Sequence, residues 1–542
     1  MLNKLWHREL DFWSSSAFVL GLILLLPLIT VLVGLADVGP KWDHVKSTVL
    51  ASYVFNTFIL AVAVTFLATL FAVPAAWFVS AYEFPGRRIF VWTLVLPLAI
   101  PTYVAAFVYY QFTEAAIPLL IHIRSSWGIA AFQISELFLR FGLLVLLMAS
   151  VLYPYIYLSA RASFSQQRKR LIEAAQSLGH GPWSVFFTVA LPLARPVLVA
   201  GASLVVMEVI NDYGAVHFFG VPTLTEGIFR TWFALGDRAS ALRLAGFIML
   251  AVFLVLLLEQ NLRGRARYAD PSSRLSVSPL QRLRGIHAFL ATSICFIPLS
   301  LGLLFPTGQL LIWASKNWAK VFKADFAGHL INSMLLALVT AGVLTSLALL
   351  LSYAAKLHPV KWLRTVNGLA SLGYAAPGAV VAVGVMTTVG SFDRFINSLL
   401  DPTQFPVFVL SGTILVIGFA YCVRFLAVSL QPVRGGLSRI CGTLDEASFS
   451  LGRGPGETLW RINIPLLSGT LLVAFMLVFI DILKELPLTM ILRPANFETM
   501  ATAAFSLAKE GRIYECAVPS IILLFAGGFG LIAIKRFLLP EQ

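Results

Sequence analysis

Residues 22–35 contain no charged side chain and show no alternation of apolar with polar positions. A run of that kind reads as a helix apolar on every face, not as a strand with one wetted side. Eleven further stretches are predominantly apolar, so that the set runs near 16–37, 52–81, 89–111, 138–160, 193–215, 241–259, 287–314, 327–354, 365–390, 407–430, 466–491 and 514–536. Most reach the 17–25 residues with which a helix crosses a hydrocarbon core of about 30 Å, and the longer ones leave room for tilt. A bilayer offers no water to an unpaired N–H or C=O, so spanning segments must be helices or closed barrels. The missing alternation selects helices. The expected fold is therefore an all-α polytopic membrane protein with about twelve transmembrane helices. Composition excludes a water-soluble globular enzyme: 58% of the 542 residues are hydrophobic and 12% charged, against about 25% charged in soluble domains. Residues 1–16 carry Lys4, Arg8, Glu9 and Asp11, and no small-residue cleavage site follows. The first helix is expected to be retained and not removed as a signal peptide.

Sidedness follows from where Lys and Arg fall. The N-terminus and segments 82–88, 161–195, 260–286, 355–364, 431–465 and 535–542 hold 24 of the 40 basic residues, and the rest of the chain holds 16. Basic residues accumulate in cytoplasmic loops, which makes the first set, and both termini, cytoplasmic. The net charge of +14 then reads as membrane orientation, and no nucleic-acid partner is expected. Four cysteines without a C-x-x-C pair, and no His-rich tract, give neither a disulfide framework nor a structural metal site.

The chain also repeats itself. Residues 173–192 read EAAQSLGHGPWSVFFTVALP and residues 446–465 read EASFSLGRGPGETLWRINIP. Glu173, Ala174, Gly179 and Pro192 return as Glu446, Ala447, Gly452 and Pro465 at a spacing of 273, and Asn56 and Pro101 return as Asn332 and Pro377 at 276. Both copies of the first segment fall in loops predicted to be cytoplasmic, between the fourth and fifth helix of each half. An even number of helices per half satisfies that placement. The expectation is two parallel six-helix repeats related by an axis along the membrane normal, with halves at 1–259 and 287–542 and a basic cytoplasmic linker at 260–286.

In the repeated loop, Glu173, Ala174 and Ala175 sit in a helical stretch that Gly179 ends with a left-handed backbone. The following residues are expected to run along the membrane surface to Pro192, which suits the start of the next helix. Small residues beside one carboxylate let a short helix press into a groove on another protein. A capped surface loop is the plainer reading, and duplication at matched offsets weighs against it. The pattern E-A-A-x3-G-x9-I-x-L-P resembles the coupling motif of permease subunits in binding-protein-dependent ATP-binding-cassette importers. Val189 departs from it in the first copy, as do Ser448 and Ile464 in the second. The resemblance implies that each loop docks on one of two cytoplasmic ATPase subunits. A periplasmic or surface solute-binding protein would deliver the cargo, and the chain would sit in a bacterial inner membrane. No G-x-x-x-x-G-K-[ST] occurs, so the chain itself carries no phosphate-binding loop. It is expected to bind no cofactor and to be a transport subunit, ATP being used by its partners.

Within that class the chain resembles the fused twelve-helix permeases of ferric-iron importers, through YEFPGRR at 82–88, MEVINDYGAVHFFGVPTLTEGIF at 207–229 and DILKELPLTMILRP at 481–494. Thiamine, polyamine or another small solute stays open as cargo, and so does a gradient-driven secondary transporter. Glu208 and Asp212 stand four apart inside one span, and Asp481 and Glu485 repeat them 273 residues on. Charges inside spans are costly and face a bundle interior or an aqueous path. With Tyr213 these carboxylates would suit a hard cation, which prefers oxygen. They equally suit a gate or a docking surface, and Lys484 is placed to pair with Asp481. Arg424 is expected to pair with one of the acids or to reach the surface. His217 is read as a loop or interface residue, and Cys422 and Cys441 as small apolar groups. The aromatic stretch at 91–110 is read as lipid-facing or interfacial, with a kink at Pro97 and Pro101.

Overall fold

A computed structural model describes residues 2–167, 181–263, 281–321, 324–358, 360–400 and 407–538. Each of the twelve apolar stretches contains helix, and among the described residues ten helices are long and apolar enough to cross a membrane unbroken. Arg87–Ala99 and Thr102–Ala115 pass the same test only as a pair, and they meet at 90°. Pro101 is extended (ψ 140) and so is Ile100 before it (ψ 119), as expected where a proline ring crowds the preceding residue out of the helical region. The twelfth stretch holds Ala517–Leu538. Tyr103, Phe107 and Tyr109, read above as lipid-facing, are buried. Hydropathy registers apolarity without distinguishing lipid from the protein interior.

The two repeats have the same construction. Leu50–Ala81 packs along Ile117–Gln167, and Ala324–Leu357 packs along Ile414–Arg439. Buried Ala61 and Ala72 recur as Ala337 and Ala348, small residues of the kind that let helices approach closely where no hydrophobic effect drives them together. Asn56 Nδ2 donates to the Pro222 carbonyl at 3.0 Å, and Asn332 Nδ2 to that of Glu498 at 3.2 Å. The Thr57 hydroxyl accepts from Leu224 N, and the Ser333 hydroxyl from Met500 N.

The repeats are also interlocked. Phe12–Val33, the first span, lies against Gly378–Leu399 of the second repeat, where Thr30 and Thr388 hydroxyls meet at 2.9 Å. In exchange, Tyr109 of the first repeat donates to the Leu301 carbonyl at 2.9 Å. The linker's far end is pinned by a two-residue parallel pairing of Tyr82–Glu83 with Gln281–Arg282, the sheet found among the described residues. Residues 264–280 lie outside them.

Ahead of Arg238–Arg263, Asp237 gathers several donors. Lys41 N lies 2.8 Å from Oδ2, Ser240 N 3.1 Å from Oδ1 and the Ser240 hydroxyl 2.6 Å from Oδ2. Burial acts to raise this carboxyl, but the Ser240 hydroxyl and the surrounding N–H groups outweigh it and hold it below its usual value. The stabilisation is therefore present above the ordinary carboxylate pKa and lost as pH falls through the lower folded value. Asp237→Ala should lower the unfolding midpoint in detergent at pH 7 by the loss of a cap, about 1 kcal/mol. The gap to the parent should narrow as pH drops below about 4. A gap that does not change with pH would rule out the carboxylate as its source.

Candidate functional site

Two regions carry the singled-out residues. The first is the repeated loop. Glu173, Ala174, Ala175 and Gly179 lie outside the described residues, so the geometry rests on the second copy. There Gly442–Ser450 is a helix ended by Gly452 at φ 79. Gly452 N bonds to the Phe449 carbonyl and Arg453 N to that of Ser448, the paired closure that a left-handed glycine allows. One face of the helix is tied inward. Asp445 is buried, 2.6 Å from Lys356 Nζ and 3.0 Å from Asn463 Nδ2, and Ser448 meets Thr458 at 2.8 Å. The other face is free: Glu446 and Ala447 are exposed, as are Leu444, Leu451 and Trp460. Cys441 is exposed too, against the expectation that it packs as an apolar group, because it precedes the first turn of a surface helix. Cys422 is buried.

Pro192 and Pro465 stand in the first turn of Leu191–Asn211 and Ile464–Lys484, but the chain before them is already helical. Trp183–Asn211 and Pro455–Lys484 are continuous, and each passes through a wider π turn, Phe186–Ala190 and Leu459–Asn463, just before or beside its proline. Proline has no N–H to place in the ladder, and the i→i+5 turn carries the chain past it without a break. The segment read as running along the surface is already helix.

The second region lies at the far ends of these two helices, where they stop at Asp212 and Glu485 with identical backbone angles, φ −69 and ψ 122. Each carboxylate receives an N–H of the short helix that follows: Ala215 N to Asp212 at 2.8 Å, Leu488 N to Glu485 at 3.1 Å. Their second partners differ. Asp212 accepts from the Thr102 hydroxyl, whereas Glu485 faces Arg424 Nη1 at 3.2 Å. Gly378, the counterpart of Thr102 at the 276 spacing, makes room for this: a Cβ there would lie 1.8 Å from Arg424 Nη1 and 2.5 Å from Glu485 Oε1. Arg424 and Glu485 are both buried, and Arg424 thus pairs with an acid and does not reach the surface. One turn earlier, Tyr155 donates to Glu208 at 3.4 Å, and Lys484 stands 3.5 Å from Asp481. Asn211 accepts from Gly378 N at 2.8 Å and so joins the two repeats.

These groups enclose a chamber of about 150 Å³, lined by Glu208, Asp212, Asp481 and Glu485 against Arg424 and Lys484, with Tyr155, Tyr213 and Tyr374. Among the described residues no three His, Cys, Asp or Glu side chains come together as a metal cage. His217 stacks on Tyr213 and lies 4.0 Å from Glu226. Thr102, Asn211, Tyr155 and Tyr374 were not picked out from the sequence. The spacing that aligns Pro101 with Pro377 reaches Thr102 and Gly378 one residue later. The tyrosines carry no such signal.

A model of the binding-protein-dependent transport system inner membrane component family matches residues 68–268. Over 98% of its length the chain is similar to an Fe(3+)-transport system permease protein of Haemophilus influenzae, at 24% identity and covering 99% of that protein. It is 22% identical to a ferric transport system permease protein of Actinobacillus pleuropneumoniae over 62% of the chain and 50% of the relative. A probable sulfate transport system permease protein of Chlorokybus atmophyticus is 30% identical over 38% of the chain and 70% of the relative.

The Arg424–Glu485 pair yields a stability test. Removing one member of a buried pair strands the other charge, at about 3–5 kcal/mol, whereas removing both is close to neutral. Arg424→Met should therefore lower the unfolding midpoint strongly, and Arg424→Met with Glu485→Gln should recover most of the loss. Additive losses in that double-mutant cycle would show that the two groups are not coupled.

Proposed function

The chain belongs to the family of binding-protein-dependent transport system inner membrane components, and from that premise we propose that it is the permease of a ferric-iron importer. One pairing of observations carries the cargo assignment. The likeness to a ferric permease runs through nearly the whole chain, and the chamber sets four carboxylates against two cations. Iron(III) is a hard cation that favours oxygen ligands. A sulfate ion entering the same chamber would meet net repulsion, and the sulfate-transport relative matches 38% of the chain.

In this reading the loop ends of Trp183–Asn211 and Pro455–Lys484 face the cytoplasm, as do both termini. Two ATPase subunits dock on the repeated loops, at Glu173, Ala174, Ala175 and Gly179 and at Glu446, Ala447 and Gly452, and they alone hydrolyse ATP. A binding protein presents iron at the opposite face. The docking helix is suited to transmit force because Asp445, Lys356 and Asn463 tie its inner face to the bundle. A push there reaches Asp481 and Glu485 along one continuous helix. Pro192 and Pro465 sit in the stiff base of these levers, beside the π turns.

Proteoliposomes holding the permease, its ATPase and the binding protein should take up radiolabelled iron(III) only with ATP, and excess sulfate should not compete. Competition by sulfate would overturn the cargo. Gly179→Asp combined with Gly452→Asp should abolish uptake while membrane abundance stays unchanged, since Gly452 holds a backbone (φ 79) that aspartate adopts with strain. Uptake retained in that variant would remove the docking assignment.

A further inference from the structure

Two cavities lie one beyond the other at the end of the bundle away from the docking loops. The inner one is the polar chamber. The outer one, about 1140 Å³, opens between residues 213–234 and 490–509 and is lined by Glu226, Arg230, His329, Arg493 and Lys509 among others. One residue lines both, Tyr213.

Its ring lies between two phenylalanines that occupy the same place in the duplication. Phe229 stacks on it at 3.5 Å between centroids and 13° between planes, and Phe505 leans against it at 5.7 Å and 47°. Positions 229 and 505 are separated by 276, the spacing that also relates Asn56 to Asn332. The stack on Phe229 is thus made within the first repeat, and the contact with Phe505 crosses between repeats. Tyr213 itself has no aromatic counterpart, since the 273 spacing leads to Leu486. His217 and Tyr103 complete the cluster, at 5.9 Å and 6.5 Å from Phe505. Tyr213, Phe229 and Phe505 are all buried, so the residue shared by the two cavities is held inside an aromatic cluster.

We propose that Tyr213 is the plug between vestibule and chamber, and that the gate opens when the repeats part and Tyr213 leaves Phe505 while keeping Phe229. The closely parallel stack has both partners on one rigid repeat. The looser, tilted contact spans the seam and is the one that relative motion breaks. A single residue supplied by one repeat makes the closure, so the gate is asymmetric although its walls are duplicated. The proposal rests on the permease reading but not on the identity of the cargo.

The test uses the complete transporter in spheroplasts, with Cys295, Cys422, Cys441 and Cys516 replaced and Glu208→Cys placed in the chamber. A membrane-impermeant thiol reagent is added from the vestibule side, and the labelling rate at position 208 is measured. Labelling should be slow in this background, at least tenfold faster with Tyr213→Ala, and slow again with Tyr213→Phe, which keeps the ring. Phe505→Ala should also accelerate it, and it carries the test alone should Tyr213→Ala fail to insert. A rate unchanged by these alanine variants, or equally raised by Tyr213→Phe, overturns the plug. Labelling needs no iron, so a tenfold response combined with no iron uptake by the transporter that keeps Glu208 would sink the cargo and leave the gate. Iron uptake without the response would do the reverse.

Discussion

Where one helix stops and another starts inside an apolar bundle, the first N–H groups of the second lack partners in a place where water cannot take them. Asp212 and Glu485 meet that requirement. Each ends a long helix, turns the chain, and accepts an N–H of the short helix beyond. The cost of burying a carboxylate is then offset by what faces it, the Thr102 hydroxyl on one side and the Arg424 guanidinium on the other. The chamber, the vestibule and the aromatic cluster between them are all laid out from these two breaks. A permease needs irregular backbone at depth to make a path, and such backbone is tolerated only where protein groups satisfy it.

The mechanical route is equally local. From the exposed face of Gly442–Ser450 the chain turns at Gly452, passes a π turn, and runs unbroken to Lys484. Asn463, buried in that π turn, bonds to Asp445 of Gly442–Ser450. Loop and lever are therefore one body. Under the proposed coupling, displacement at the loop would reach the chamber along this helix, which contains Gly469 but no break in its helical run.

Much of this was legible beforehand. The helices were readable because unbroken apolar runs admit one spanning structure, and the repeat was readable because Glu173, Gly179 and Pro192 return at one spacing. The acids stood out because charges in spans are rare. Partners were harder to read. Nothing near Arg424 in the chain names Glu485, and nothing near Glu208 names Tyr155, because those contacts cross between helices. Pro192 looked like a helix start because an i→i+5 turn has no marker in composition. The aromatic stretch at 91–110 looked lipid-facing because Tyr103 and Phe107 are as apolar toward protein as toward lipid.

The clearance at Gly378 has a further meaning. Two identical subunits meeting about an axis would bring either a pair of guanidiniums to this spot or none, and a pair would repel. Joining both copies in one polypeptide lifts that restriction. It lets one position shed its side chain while its twin keeps a hydroxyl, so that a solitary cation can lodge off-axis. Covalent fusion thereby turns a symmetric pore into a polarised one, a lopsidedness that assembly from like parts cannot reach.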